Sequence, residues 1–229
     1  MIFNSLEFAI FLPVVFLLYW LVLGRKRKAQ NGFLVIASYV FYGWWDWRFL
    51  SLIWVSTLVD FVAGRAMHAS DDPSRRRFWL WCSLATNLGM LGFFKYAGFF
   101  VDSFVDLLGS LGVQATAGPL GIILPVGISF YTFQTMSYSI DIYRRDLEPT
   151  DRLLDFALFV GFFPQLVAGP IVRARDFLSQ LATDDRSPID TGRATRLVLG
   201  GLFKKMVLAD VLGAQLVDEL LHLFDAHVP

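Results

Sequence analysis

Long apolar runs separated by short charged clusters set the pattern of this chain. The first run, Leu6 to Leu23, is about long enough to cross a hydrocarbon core, which takes ~20 apolar residues. The basic cluster Arg25-Lys26-Arg27-Lys28 follows it rather than preceding it. That order is the reverse of a cleaved signal peptide and predicts a retained span with its N-terminus outside. Two apolar stretches come next, Gly32 to Tyr42 and Phe49 to Val62, separated by Gly43-Trp44-Trp45-Asp46-Trp47-Arg48. The tryptophans there predict an interfacial turn, since indole rings favour the headgroup level.

A polar loop, Arg65 to Arg77, returns the chain to the cytoplasmic side, and Phe78 to Phe94 leads outward again. Tyr96 to Val113, with Asp102 and Asp106 four apart, predicts a helix lying in the outer interface. Ile122 to Ile142 crosses inward and stops at Arg144-Arg145. The next run, Leu153 to Val172, carries Gly161, Pro164, Gly169 and Pro170 and is flanked by arginines on both sides. Basic flanks at each end predict a re-entrant segment, and irregular backbone at that depth predicts that it lines a cavity. Ile189 to His222 reads as a cytoplasm-side helix that dips into the bilayer. In this scheme every Lys and Arg except Arg48 and Lys95 lies inside. The fold class expected is all-α: a polytopic transmembrane helical protein with interfacial and re-entrant helices, forming one membrane-embedded domain over residues 1–229.

Composition agrees. Of 229 residues, 55% are hydrophobic and only 17% charged, against the roughly 25% of a soluble domain. Twenty basic and twenty acidic residues cancel, so net charge selects no polyanion, and no nucleic-acid partner is expected. Cys82 alone excludes a disulfide framework or a zinc site and is expected to be buried and inert.

Of the three histidines, His68 sits beside acids in a polar loop and is read as solvated, while His222 and His227 fall near the chain end. Asp60 and Asp141 interrupt apolar runs, where charge usually has a reason. Their preferred place is the cytoplasmic interface, beside Arg65 and Arg144, with a functional role as the alternative. The span from Leu124 is denser in polar groups. Ser129, Thr132 and Gln134 cannot all face lipid without cost, so they contact other helices or a wet passage.

Three segments, Leu124-Pro125-Val126-Gly127-Ile128-Ser129-Phe130-Tyr131-Thr132-Phe133-Gln134, Phe163-Pro164-Gln165-Leu166-Val167-Ala168-Gly169-Pro170-Ile171 and Gly201-Leu202-Phe203-Lys204-Lys205, resemble the membrane-bound O-acyltransferases. The nearest branch is the bacterial one that acetylates alginate and related polysaccharides. Phe3 to Phe8 and Phe41 to Trp45 are similar to it as well.

The resemblance implies a cytoplasmic acyl thioester as co-substrate, no bound cofactor or metal, and a polysaccharide hydroxyl as acceptor. It also implies periplasmic acetylation partners and a place in the bacterial inner membrane. It assigns Ser129, Tyr131, Gln134, Pro164, Gln165, Gly169 and Pro170 to a substrate tunnel and Arg173 to its donor mouth. The family's catalytic histidine lies in a Trp-His-Gly-type segment that this sequence does not contain, so no histidine here is given that role. The chain is therefore expected to be the N-terminal half of a longer fold and inactive alone in acyl transfer. A transporter or flippase using the same passage, and a noncatalytic scaffold, are the competing readings.

Overall fold

The computed structural model describes residues 3, 5–24, 26–111, 122–166, 172–182, 190–213, 215 and 216. Every regular element among them is helical, with no strand. The chain divides into two compact units, one made of Met1–Val14 with Asp185–Pro229 and the other of Val15–Asp184.

In the second unit α2 (Arg27–Asp46), α3 (Leu50–His68), α4 (Pro73–Ser110) and α5 (Ile128–Arg144) are the main helices. They are followed by α6 (Leu153–Gly161), α7 (Phe163–Leu166) and α8 (Ala174–Ala182). α3, α4 and α5 pack mutually, α6 lies on α2 and α3, and α8 lies on α6 and α5. The helix starts follow from local chemistry. Asp72 caps α4 by accepting a hydrogen bond from the Ser74 amide at 2.9 Å, and Pro73 fills the first turn, where no amide donor is needed. α5 ends in a Schellman turn, with the Asp146 amide donating to Asp141 O at 2.9 Å and the Arg145 amide to Ile142 O at 3.0 Å.

The exterior is more apolar than that of a protein in water, and polar groups share the interior with an apolar core. Gln30, Asn31, Ser56, Asp60, Ser83, Asn87, Gln134 and Ser139 lie inside. Leu21, Trp47, Trp81, Phe99 and Phe100 are all more than 60% exposed. An apolar exterior over a core that sets these polar groups among Ile53, Tyr131, Tyr138 and Phe156 suits a hydrocarbon solvent. Two helical stretches, Arg27–His68 and Pro73–Ser110, are long and apolar enough to cross a membrane. The first bends where Asp46 adopts extended backbone and a short 3-10 turn, Trp47–Phe49, follows. Its two arms, 20 and 19 residues, are each about 30 Å long.

Several expectations change. Tyr96 to Val113 is not a separate helix, because α4 continues unbroken to Ser110: nothing between Phe93 and Ala97 interrupts its hydrogen-bond ladder. The Gly43–Arg48 segment is mostly the last turns of α2, so the short apolar stretch from Gly32 belongs to a full-length helix. The inward span is helical only from Ile128, not Ile122. Cys82 is partly exposed rather than buried.

The first unit holds α9 (Thr191–Phe203), which continues as a π-helical segment, Lys204–Leu212. Asp190 caps α9, accepting from the Arg193 amide at 2.9 Å. Leu197, Leu199 and Phe203 are exposed along it. The expected helix from Ile189 to His222 is thus found over Thr191–Leu212, while residues 217–229, with His222 and His227, lie outside the described residues. α1 (Leu6–Leu17) begins in this unit and continues past Val14 as a π-helical turn, Leu18–Val22.

Candidate functional site

Two of the segments singled out in the sequence meet at the start of α5. Gly127 has φ +78°, and a Cβ placed on it would stand 2.4 Å from the backbone oxygen of Leu166 in α7. Only glycine allows both that left-handed backbone and that approach. The contact is reinforced on each side. Tyr42 donates its hydroxyl proton to Val126 O at 2.9 Å, and Gln134 Nε2 donates to Phe159 O at 2.6 Å. The Phe163 amide donates to Ser38 Oγ at 3.2 Å, with the Phe163 ring against Phe41. The turn before α5, the α6–α7 break and the middle of α2 therefore form one junction.

The expected tunnel residues take different positions around it. Tyr131 and Gln134 are buried, Ser129 is half-buried, Gln165 is partly buried and Pro164 is exposed. Tyr131 Oη and Gln165 Nε2 are buried atoms with no hydrogen-bond partner among the described residues. Thr132 Oγ1 shares that state. Gly169 and Pro170 lie outside the described residues. Arg173 is exposed, and its carbonyl accepts the Asp176 and Phe177 amides at the start of α8.

The second unit has two ends. At one, Arg145 Nη2 reaches Asp71 at 2.7 Å and Arg65 stands 3.7 Å from Asp151. Arg145 holds the Asp71 carboxyl below the usual carboxylate range. A cavity of about 260 Å³ lies there, lined by Arg27, Thr150, Asp151, Arg152, Asp155, Leu178 and Ala182. Arg27 Nη1 donates to Ala182 O at 2.5 Å. The chain thus leaves this end at Arg152 and is back at it by Ala182. At the other end Arg48, Phe49, Phe93, Phe94, Ile122 and Ile123 line a more apolar cavity of about 340 Å³. Among the described residues, none of those assigned to the tunnel lines either cavity.

Sequence reading placed Asp60 at the interface beside Arg65, and the structure corrects this. Asp60 is fully buried between α3, α4 and α5, while Arg65 points to Asp151. Ser83 Oγ and Ser139 Oγ donate to its Oδ1, and Asn87 Nδ2 donates to Oδ2 at 2.8 Å. Ser56 and Thr135 complete the cluster through Asn87 Oδ1, at 2.7 and 3.1 Å. A signal was present: Ser56 and Asp60 are four apart, Ser83 and Asn87 four apart, and Thr135 and Ser139 four apart, each pair on one helix face. His68 is exposed, and no group of three or more metal-ligating side chains occurs among the described residues.

This chain is similar to a protein of Pseudomonas aeruginosa named probable alginate O-acetylase, 40% identical over 216 residues, covering 93% of this chain and 41% of that one. A protein of the same name from Azotobacter vinelandii is 39% identical over 228 residues, covering 98% and 44%. A peptidoglycan O-acetyltransferase of Helicobacter pylori is 32% identical over 243 residues, covering 92% and 45%. The chain spans about two-fifths of the length of these relatives. No family profile matches it, and no solved structure does.

Proposed function

Because the chain belongs with the membrane-bound O-acyltransferases, among its alginate- and peptidoglycan-acetylating relatives, we propose that it is the membrane-embedded part of an enzyme that acylates a cell-surface polysaccharide. The reaction is transfer of an acyl group, acetyl by analogy with the relatives' names, from a cytoplasmic thioester to a sugar hydroxyl. A C–S bond breaks, a C–O ester bond forms, and the hydroxyl proton ends on the departing thiol. Moving that proton needs a base, and His68, exposed at the end of α3, is not placed to act as one.

The observation that carries the reading is the junction at Gly127 and Leu166. It brings together two of the three segments that resemble the family, and it leaves Tyr131 Oη and Gln165 Nε2 buried and without a partner among the described residues. Buried polar atoms without partners are costly, and a substrate passing between α5 and α7 supplies partners for both. Ser129, Tyr131, Gln134, Pro164 and Gln165, with Gly169 and Pro170, are the proposed wall of that passage. Arg173 is the proposed cation at its donor mouth.

The proposed setting is the bacterial inner membrane. α2, α3, α4 and α5 alternate in direction between the two ends of the second unit, as successive crossings do. The end holding Asp71, Thr150 and Ala182 also carries Lys26, Arg27, Lys28, Arg75, Arg77, Arg144 and Arg145, whereas Arg48 and Lys95 lie toward the other. This asymmetry supports a cytoplasmic basic end. The return of the chain to that end by Ala182 supports the re-entrant reading of Leu153 to Val172.

Deleting the gene and measuring ester-linked acetate on the surface polysaccharide tests the activity. Loss of acetate, restored by the wild-type gene and not by one carrying Tyr131→Ala, is expected. Unchanged acetate in the deletion strain contradicts the proposal.

A further inference from the structure

The Asp60 cluster holds a charge problem that its hydrogen bonds do not solve. Asp60 is fully buried, with no ion-pair partner among the described residues. Arg65 faces Asp151 and Arg76 is spent on backbone carbonyls. From α6, Asp155 faces Asn31 and Arg152. From α5, Asp141 is half-exposed, and Tyr138 is a further titratable side chain within electrostatic reach of Asp60. An unpaired carboxylate in a low-dielectric interior is expensive, so a compensating positive charge is expected with it.

Counting hydrogens locates that charge. Ser83 and Ser139 each give their one hydroxyl hydrogen to Oδ1. Asn87 gives one amide hydrogen to Oδ2 and the other to Ser83 O at 3.0 Å. Ser56 has one hydrogen for two acceptors, Asn87 Oδ1 at 2.7 Å and Asp60 Oδ2 at 3.4 Å. Thr135 has one hydrogen for three acceptors: Asn87 Oδ1, Thr132 O and Ser56 Oγ. Two hydroxyl hydrogens thus serve five oxygen–oxygen contacts, of which Asp60 Oδ2 to Ser56 Oγ at 3.4 Å is the longest. Ser56 Oγ lies 3.3 Å from Thr135 Oγ1 on its other side. Thr132, one turn before Thr135 on the same face of α5, is fully buried with its Oγ1 unpartnered among the described residues.

We propose that the oxygens of Asp60, Ser56 and Thr135, with Thr132 beside them, form a buried binding site for one small monovalent cation, a proton or a sodium ion. A proton on Asp60 Oδ2 donates to Ser56 Oγ and neutralises the carboxyl. A sodium ion uses the same face. Oxygens 3.3 to 3.4 Å apart are the edges of an octahedron with ligand distances of about 2.4 Å, within the range of hard, oxygen-ligated cations of this size. The site stands on its own geometry and does not depend on the acyl-transfer reading.

Purified protein in detergent tests it by infrared spectroscopy and thermal unfolding, in sodium chloride against choline chloride at equal ionic strength. A protonated-carboxyl band in choline that disappears in Asp60→Asn, and that sodium leaves unchanged, identifies the proton. A band abolished by sodium, with the unfolding midpoint rising by about 5 °C at saturation in wild type and not in Asp60→Asn, identifies the ion. Should Asp60→Asn fail to fold, Ser56→Ala takes its place: it removes the oxygen between Asp60 and Thr135, shifting the band or weakening the sodium effect severalfold. A wild-type spectrum with no protonated carboxyl, together with sodium and choline midpoints that coincide, overturns the site.

Discussion

Replacing Gly127 by alanine is the sharpest perturbation of the junction between α5 and α7. The backbone there is left-handed, which costs a residue bearing a Cβ about 1 to 2 kcal/mol. The new methyl would stand 2.4 Å from Leu166 O, against an ordinary contact of at least 3.4 Å, so α7 must retreat by about 1 Å. Leu166 and Phe163 are both almost fully buried, and overpacking of that kind costs about 1 to 3 kcal/mol. Together the variant should lose roughly 2 to 5 kcal/mol, a fall in unfolding midpoint of about 4 to 20 °C for a chain of this size. Gly89→Ala is the matched control, since nothing lies within 4 Å of its position, and alanine there should hold or slightly raise stability. Thermal unfolding of both variants in the same detergent reads the difference. If Gly127→Ala melts within about 2 °C of Gly89→Ala, the close approach of the two segments is refuted.

Other outcomes follow from the same structure. Arg76 is buried and donates to Met67 O at 2.6 Å, Ile142 O at 3.2 Å and Tyr143 O at 2.7 Å, tying together the C-terminal ends of α3 and α5. Arg76→Met should cost about 3 kcal/mol by denaturant titration, and Arg76→Lys should recover only part of it. Gln134→Leu strips the buried Phe159 carbonyl of its 2.6 Å donor and should cost about 1 to 3 kcal/mol in the same assay. Asp71→Asn should lower the melting temperature slightly at neutral pH. Because Arg145 depresses the folded-state pKa of Asp71, this contribution is present above the unfolded carboxylate pKa and is lost as pH falls through the folded value. Melting curves at stepped pH should therefore converge in acid, and they should converge in high salt as well.

The helical elements were legible where apolar length alone decides, as for α3 and the first half of α4. The second half of α4 was not, because Asp102 and Asp106 look interfacial in one dimension while the backbone ladder runs on regardless of them. Asp60 was misplaced for a related reason. Its distance from the span's end suggested Arg65, but its partners Ser83, Asn87 and Ser139 sit on two other helices and meet it only after packing. At Gly127 the motif was visible, yet the reason for glycine was not. That reason is a carbonyl of α7, nearly forty positions further along the chain.

The central claim is that α2 to α5 cross a bilayer while the α6–α8 segment enters and leaves on one side. Single cysteines at Trp47, Asp71, Asp151 and Ala182, on a Cys82→Ala background, test it in intact cells with a membrane-impermeant thiol reagent. The account predicts that only Trp47→Cys reacts from outside, and that Asp71→Cys, Asp151→Cys and Ala182→Cys react only once the membrane is opened. Labelling of Ala182→Cys from outside while Asp151→Cys stays protected would contradict it.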